Sequence, residues 1–170
     1  MSNLYLIGMM GSGKSVTGKK LAELTGLSFL DLDDEIEKKT GRSIADIFEK
    51  QGEPFFRREE SALLAEISRT DRQVVATGGG VVLDPANVAC MKKTGRVIYL
   101  ESSGDTLWQR VREKKGRPLL GGADPKTRLF EILERRRSLY EKASGLRVQT
   151  DGQTAEVVAK KIFSLLKIKP

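Results

Sequence analysis

Short apolar runs alternate along the chain with longer segments in which apolar residues recur at helical spacing. The short runs predict five strands, at 4–7, 28–31, 74–77, 97–100 and 147–150. Strands separated by helices are typical of an α/β fold with a mostly parallel sheet. We therefore expect a five-stranded sheet that is flanked by helices on both faces.

Several helix ends are also visible. The first helix is predicted at 14–25, because Gly26 follows it and glycine commonly ends a helix. A later helix should begin after Asp84, where Pro85 suits the first helical position. Ser43 opens a segment that resembles a capping box with Asp in place of Glu, so a helix is expected there as well.

The length of 170 residues, with 39% hydrophobic and 31% charged residues, predicts a single domain over 1–170. No run reaches the ~18 apolar residues that cross a bilayer, and residues 1–7 lack the basic leader of a secretory signal. The lone cysteine, Cys90, excludes an internal disulfide framework and is expected to be a packing residue on a helix. We therefore expect a cytoplasmic protein with no membrane partner.

The formal net charge of +7 favours polyanionic partners such as nucleotides, phosphates or nucleic acid. The chain has no histidine. This excludes His-based catalytic triads, His general bases and His metal ligands, and one cysteine cannot build a Cys-rich zinc site. Proton transfer must therefore depend on carboxylates or lysine.

The strongest motif lies at 8–15, where GMMGSGKS fits the phosphate-binding pattern G-x-x-x-x-G-K-[ST]. It stands between a predicted strand and a predicted helix, so its backbone amides and the helix N-terminus would together bind phosphate. A glycine-rich turn that only caps a helix is the weaker alternative. Lys14 is expected to reach the β- and γ-phosphates of ATP, and Ser15 to bind Mg²⁺. The predicted nucleotide-binding residues of this loop are Gly11, Ser12, Gly13, Lys14, Ser15 and Val16.

Acidic residues cluster at the end of the second predicted strand, as Asp31, Asp33 and Asp34. If the extended backbone continues there, its period of two places Asp31 and Asp33 on one side. One carboxylate would hold a Mg²⁺-bound water, and the other would meet an acceptor hydroxyl. Alternatively, Asp33 or Asp34 only caps the next helix, a role that suits Asp34 better.

Glycines follow the third predicted strand, as Gly78, Gly79 and Gly80, at the edge where open α/β sheets bind ligands. A plain flexible loop has the same composition. Arg117 lies in a segment at about 112–124 whose proline and glycine content is typical of a mobile loop. Such a lid would close Arg117 over the γ-phosphate, although a basic surface loop fits the composition equally well.

Arginines form two clusters in predicted helices, around Arg57 and around Arg136. Successive helical residues do not share a face, so one or two arginines of each cluster at most can enter a site. We expect Arg58, Arg135 and Arg137 to be solvated surface charges.

Taken together, these residues resemble the shikimate kinases in order and spacing over nearly the whole chain. The P-loop is common to many NTPases, but the combination of motifs is specific. The motifs are GMMGSGKS at 8–15, Asp31-Leu32-Asp33, Phe56-Arg57, Gly78-Gly79-Gly80, Arg117-Pro118-Leu119-Leu120 and Arg136 through Tyr140. The resemblance implies a three-layer P-loop NTPase fold with an acceptor-binding region at about 32–60. It also implies transfer of the ATP γ-phosphoryl group to the 3-hydroxyl of shikimate, in the pathway to chorismate and the aromatic amino acids.

The same resemblance implies a role for each matching residue. Asp33 would bind shikimate hydroxyls and act as the candidate base, while Arg57 and Arg136 would bind the carboxylate. The remaining implied contacts are Gly78, Gly79 and Gly80 at the ring, Phe48 and Phe56 as the apolar wall, Ser15 and Asp31 at Mg²⁺, Arg117 at the phosphates and Arg110 on adenine. The expected partners are ATP and shikimate, bound with Mg²⁺ by a monomer.

Two other interpretations stay open. Another small-molecule P-loop kinase, acting on gluconate or a nucleoside monophosphate, would also use arginines, because arginine binds phosphate as well as carboxylate. A non-catalytic nucleotide- or nucleic-acid-binding module would explain the charge of +7. Against that module, the aromatic residues form no spaced series for base stacking.

Overall fold

The computed structural model describes residues 2–113 and 118–167. Its strands are β1 (Asn3–Ile7), β2 (Ser28–Asp31), β3 (Gln73–Ala76), β4 (Gly95–Glu101) and β5 (Leu146–Gln149). Its α-helices are α1 (Lys14–Thr25), α2 (Leu32–Thr40), α3 (Ile44–Ile67), α4 (Pro85–Thr94), α5 (Gly104–Val111), α6 (Pro125–Ala143) and α7 (Ala155–Leu165). Short 3₁₀ turns lie at Val81–Leu83 and Pro118–Leu120.

The five strands form one parallel sheet in the order β2-β3-β1-β4-β5. The central strand β1 pairs with β3 through Leu6 and Ala76, and with β4 through Ile7 and Tyr99. The chain leaves β1 towards the β2 edge of the sheet and leaves β3 towards β4 on the other side, so the connections diverge between β1 and β3. Ligands of open α/β sheets bind at such a divergence, outside the carboxyl ends of the strands.

Two separate apolar clusters cover the two faces of the sheet. Alternate residues of β1 enter opposite clusters, because successive strand side chains point to opposite faces. Tyr5 and Ile7 pack in one cluster with residues of α3 and α6, whereas Leu4 and Leu6 pack in the other with residues of α1 and α7. The predicted three-layer fold with a five-stranded parallel sheet is therefore confirmed.

The helix ends follow from the residues that the sequence places there. Gly26 takes the left-handed conformation after α1, with φ of 67°. Asp84 accepts a hydrogen bond from the Ala86 amide and Ser43 accepts one from Asp46, so both predicted N-caps are formed. Helix α3 is interrupted at Gly52, where φ is 78° and ψ is 168°.

Neither of the two longest helices, α3 and α6, is apolar enough to cross a bilayer, and no other helix in the described part of the chain is either. Cys90 lies half-buried on α4 and lines neither of the cavities described below.

Candidate active site

The loop between β1 and α1 contains glycines whose backbone conformations strongly favour glycine. Gly8 has φ of 145°, and a Cβ there would lie 2.7 Å from the Leu100 carbonyl oxygen. Gly13 has φ of 90° and directly precedes α1. The left-handed conformation and the close backbone approach both require glycine. The amides of this loop consequently lie at the N-terminus of a 12-residue helix, where the helix dipole favours anions.

Lys14, the first residue of α1, is almost completely buried, with 9% of the residue exposed. Its Nζ donates to the carbonyl oxygens of Gly8 at 2.9 Å and of Met9 at 3.0 Å. The ammonium group is thereby held at the carboxyl end of β1, beside the cavity that the loop encloses.

A cavity of 530 Å³ opens above the loop and contains all the predicted nucleotide-binding residues that the structure describes. These are Gly11, Ser12, Gly13, Lys14, Ser15, Val16 and Arg110. Its far end is closed by residues from the β5–α7 connection and the start of α7, among them Gln153. A cavity of this shape suits a nucleotide with its phosphates on the loop.

Arg110 is fixed at that far end by three hydrogen bonds. One nitrogen donates to Gly11 O at 3.2 Å and to Thr150 Oγ1 at 3.2 Å, and another donates to Thr150 O at 3.0 Å. The guanidinium group therefore joins the phosphate loop to the end of β5. Its planar face is available for stacking on an aromatic base.

Asp31 and Asp33, at the end of β2, lie close together, but the two-residue period of a strand is not the cause. The extended backbone stops at Asp31, and α2 begins at Leu32, so the expected continuation of the strand is wrong. Asp31 is itself the N-cap of α2 and accepts from the Asp33 amide at 3.1 Å. Neither Asp33 nor Asp34 is the cap. Asp31 and Asp33 nevertheless line the same cavity, because the helical turn returns Asp33 towards the sheet edge.

Ser15 and Asp31 are the two residues predicted at Mg²⁺, and the Ser15 hydroxyl donates to Asp31 Oδ2. They bring two oxygen ligands together at the entrance to the phosphate loop. No group of three or more acidic, His or Cys residues that could hold a metal occurs among residues 2–113 and 118–167. This sparse set of ligands fits Mg²⁺, which keeps waters and binds substrate phosphates instead of an all-protein cage.

A second cavity, also of 530 Å³, adjoins the first and shares Met10, Asp33 and Gly79 with it. Its lining comes from α2, α3, the glycines after β3 and α6. All the predicted acceptor residues line it, namely Asp33, Phe48, Phe56, Arg57, Gly78, Gly79, Gly80 and Arg136. The Phe48 and Phe56 rings pack with centroids 5.0 Å apart and form one apolar wall.

Arg57 is held by two carboxylates of its own helix. Its Nη1 donates to Glu60 Oε2 at 2.7 Å, and its Nη2 donates to Glu53 Oε1 at 3.0 Å. Glu60 is fully buried. Burial raises the pKa of Glu60 above its ordinary value, and the Arg57 guanidinium opposes that rise. No role for Glu60 was predicted from the sequence, although its i,i+3 spacing from Arg57 is a recognisable signal for such a pair.

Arg136 on α6 is 7% exposed, so its charge lies almost entirely inside the protein. Within the described residues, its Nη1 has no hydrogen-bond partner, and the same is true of Glu60 Oε1. A buried charged donor without a partner is costly. The Arg136 guanidinium can therefore donate a hydrogen bond to an anionic ligand in the second cavity.

The glycines after β3 are required by these charged side chains. A Cβ at Gly78 would overlap Glu60 Oε1, and one at Gly80 would overlap the Arg57 guanidinium. Both positions must therefore lack a side chain, so that Arg57 and Glu60 can pack against the backbone. A plain flexible loop, the alternative reading of this tripeptide, would not need glycine there.

Residues 114–117 of the predicted lid at about 112–124, which include Arg117, lie outside the described residues. Pro118 and Leu119, which follow, line the second cavity. Of the arginines expected at the surface, Arg58 and Arg135 are exposed, and Arg137 pairs with Glu134 at 2.7 Å. None of these three lines either cavity.

A sequence model of the shikimate kinase family matches residues 10–167 of the chain. The shikimate kinase of Nitrosospira multiformis is 42% identical over 166 residues, which cover 98% of this chain and 85% of that protein. The enzyme of the same name from Thermodesulfovibrio yellowstonii is 44% identical over 163 residues, covering 96% and 94%.

Solved structures agree with these relatives. The shikimate kinase of Acinetobacter baumannii in complex with shikimate superposes with a TM-score of 0.96 at 40% identity, covering 98% of this chain and 93% of that one. A gluconokinase from Sinorhizobium meliloti reaches a TM-score of 0.61 at 18% identity, covering 98% and 91%, and shares the fold alone. The chain therefore belongs to the shikimate kinase family.

Proposed function

We propose that the chain transfers the γ-phosphoryl group of ATP to the 3-hydroxyl of shikimate, giving shikimate 3-phosphate and ADP. The observation that carries this proposal is the pair of cavities that meet at Asp33 and Gly79. One is built on a phosphate-binding loop, and the other contains two arginines, Arg57 and Arg136, suited to a small anion. A γ-phosphate in the first cavity would then face an acceptor hydroxyl in the second.

In the nucleotide cavity, the amides from Gly11 to Val16 bind the β-phosphate and Lys14 neutralises charge on the β- and γ-phosphates. Lys14 now donates to two loop carbonyls, and it would exchange these for phosphate oxygens with little movement of its Nζ. Arg110 packs on the adenine, held in place by Gly11 and Thr150.

Mg²⁺ would be held by Ser15 and through a water by Asp31. The bound ion would neutralise the phosphates and bring the γ-phosphate into line with the acceptor. Asp31 has a second function in this position, because the same carboxylate caps α2 and so fixes where Asp33 lies.

In the acceptor cavity, Arg57 and Arg136 bind the shikimate carboxylate, because a guanidinium donates two parallel hydrogen bonds to a carboxylate. Phe48 and Phe56 pack on one side of the ring, and the Gly78–Gly80 backbone approaches it. Asp33 accepts hydrogen bonds from the ring hydroxyls. It also receives the 3-hydroxyl proton as the bond to phosphorus forms.

The role of Arg117 as a cation at the transferred phosphoryl group is proposed from the sequence motif alone. Phosphoryl transfer depends on positioning and charge neutralisation more than on covalent catalysis. A chain without histidine is therefore adequate for the reaction.

A panel of acceptors tests the proposal, with ADP release as the readout in the presence of Mg²⁺. We expect turnover with shikimate to exceed turnover with gluconate or with nucleoside monophosphates by several orders of magnitude. Shikimate-independent turnover, or a preference for gluconate, would overturn it.

We also propose that the enzyme acts as a cytoplasmic monomer that binds no nucleic acid. Its charge of +7 then serves two anionic substrates. Light scattering of the purified chain tests whether it is a monomer, and fractionation of cells tests its location. A DNA titration at low salt tests the absence of nucleic-acid binding, because such binding is strongest at low salt.

A further inference from the structure

Tyr140 contacts both the phosphate loop after β1 and the glycine loop after β3, yet it lines neither cavity. It is fully buried on α6, one helical turn after Arg136. Its hydroxyl donates to the carbonyl oxygen of Gly79 and lies 3.8 Å from Met9 Sδ. The side chain therefore contacts both the glycine loop after β3 and the phosphate loop after β1.

Gly79 connects the Tyr140 hydroxyl to both cavities, because it accepts the hydrogen bond and lines the two cavities. A Cβ at Gly79 would lie 3.5 Å from Met10 N, 3.6 Å from Gly8 O and 3.7 Å from Arg136 Nη1. The Gly79 backbone is thus packed between the phosphate loop and the buried arginine. A small displacement of this peptide would change the spacing of the two cavities.

The phosphate loop has its own support, because the Ser12 amide donates to Met9 O at 3.1 Å and Arg110 donates to Gly11 O at 3.2 Å. The hydrogen bond from Tyr140 holds the glycine loop to the core on the side that faces the second cavity. Tyr140 is itself immobilised by stacking on Tyr99, with ring centroids 5.1 Å apart and planes at 25°.

We infer that Tyr140 is a positioning residue for the acceptor, which holds the Gly79 peptide at the height where Gly78 and Gly80 meet the ring of shikimate. The residue acts through Gly79 and does not touch the reacting atoms. Burial raises the pKa of Tyr140 to about 12, and Arg136 opposes that rise. The phenol therefore stays a hydrogen-bond donor throughout the physiological pH range. This inference rests on the proposed function, since shikimate is taken as the occupant of the second cavity.

Tyr140→Phe removes the hydroxyl and keeps the ring that stacks on Tyr99. Tyr99→Phe is the matched control, because it removes a hydroxyl from the other ring of the same stacked pair. Both variants are first compared with the parent by thermal unfolding. KM for shikimate and for ATP, kcat and the shikimate Kd from calorimetry are then measured for all three proteins.

We expect Tyr140→Phe to raise the KM and Kd of shikimate by about 5- to 10-fold, the range of one hydrogen bond. The ATP KM should change less than twofold, and Tyr99→Phe should match the parent. Unchanged shikimate constants in Tyr140→Phe, an equal rise in both variants, or a rise in the ATP KM alone would each overturn the inference. Shikimate turnover by the parent tests the proposed function separately, so the two failures can be told apart.

Discussion

Glu60 and Arg57 form a buried ion pair in which Glu60 Oε2 accepts from Arg57 Nη1 at 2.7 Å, with Glu60 at 0% and Arg57 at 21% side-chain exposure. The guanidinium is therefore oriented before any ligand arrives. Glu53 holds its other edge at 3.0 Å. Removal of Glu60 would leave the Arg57 charge poorly compensated. We therefore expect Glu60 to set the direction in which Arg57 faces the second cavity.

Glu60→Gln should raise the KM of shikimate by about 3- to 10-fold, because the amide keeps the shape but loses the charge-assisted hydrogen bond that orients Arg57. The ATP KM should stay near the parent value. Glu59→Gln provides the control, since Glu59 pairs with Lys39 at 3.5 Å on a more exposed part of the same helix. Equal kinetics in the two variants would remove the positioning role from Glu60.

The raised pKa of Glu60 makes this pair sensitive to acid. As the pH falls, the carboxylate should be protonated at a pH above the ordinary glutamate value of 4.5, and shikimate binding should then weaken. The substrate carboxylate also titrates, so the informative quantity is the difference between the parent and Glu60→Gln in a profile of shikimate KM against pH. A difference that is constant with pH contradicts the prediction.

The raised pKa of Glu60 also determines how the free energy of unfolding changes with pH. Because the pKa of Glu60 is raised in the folded state, protonation of Glu60 favours the folded state. Ionisation of Glu60 therefore lowers the free energy of unfolding as the pH rises from 4.5 through the folded-state pKa. Unfolding midpoints of the parent relative to Glu60→Gln should therefore fall across that interval.

Lys14→Ala should reduce kcat by at least about 100-fold, as expected when a charged donor to the transferred group is removed. The protein should remain folded, because Lys14 lines the first cavity and belongs to neither apolar cluster. Lys20→Ala is the control, since Lys20 lies exposed on the same helix in an ion pair with Glu23. A near-normal kcat would mean that Lys14 does not contact the phosphates.

Much of the fold could be predicted from the sequence because its elements have local signals. Strands β1, β3 and β4 are short, mainly apolar runs, and Gly26, Ser43 and Asp84 mark helix ends by their own chemistry. Both of the cavities follow from the rule that parallel strands bring their carboxyl ends to one edge.

What the sequence did not reveal depends on contacts between distant residues. The start of α2 at Leu32 is set by Asp31 capping the Asp33 amide, and a period-two argument cannot detect this change of backbone. Tyr140 and Gly79 are 61 positions apart, so their contact exists only after α6 has packed on the sheet. Glu60 had a local signal in its spacing from Arg57, but its burial depends on the glycine at position 78.

Asp31→Asn separates the two functions that we assign to this side chain. Asparagine caps a helix about as well as aspartate, so α2 and Asp33 should keep their places. The lost charge should raise the Mg²⁺ concentration that gives half-maximal rate by about 10-fold, as for other groups that orient a metal's ligands. Thermal unfolding measures the cap, and a Mg²⁺ titration at saturating ATP and shikimate measures the metal site. Destabilisation without any change in the Mg²⁺ requirement would show that Asp31 serves only as the cap.

The two arginines of the acceptor cavity give the most direct test of what the cavity binds. Arg57→Ala or Arg136→Ala deletes charge-assisted hydrogen bonds of roughly 1.5–3 kcal/mol, so shikimate affinity should fall by about 10- to 100-fold while ATP affinity changes little. Arg136→Lys should rescue only partly, because an ammonium keeps the charge but loses the planar fork. Arg135→Ala is the matched control, since Arg135 is exposed on the same helix.

Neutralising the substrate instead of the protein tests the same pairing independently. Shikimate methyl ester lacks the carboxylate charge, so the parent enzyme should use it poorly. Arg57→Ala should discriminate less between acid and ester than the parent does, because the group that senses the charge is gone. The KM ratio of the two acceptors, measured for the parent and for each arginine variant, isolates this coupling from any general loss of activity. If the ratio stayed constant while the ATP KM rose, the arginines would serve the nucleotide, and the assignment of the second cavity to a carboxylate would fail.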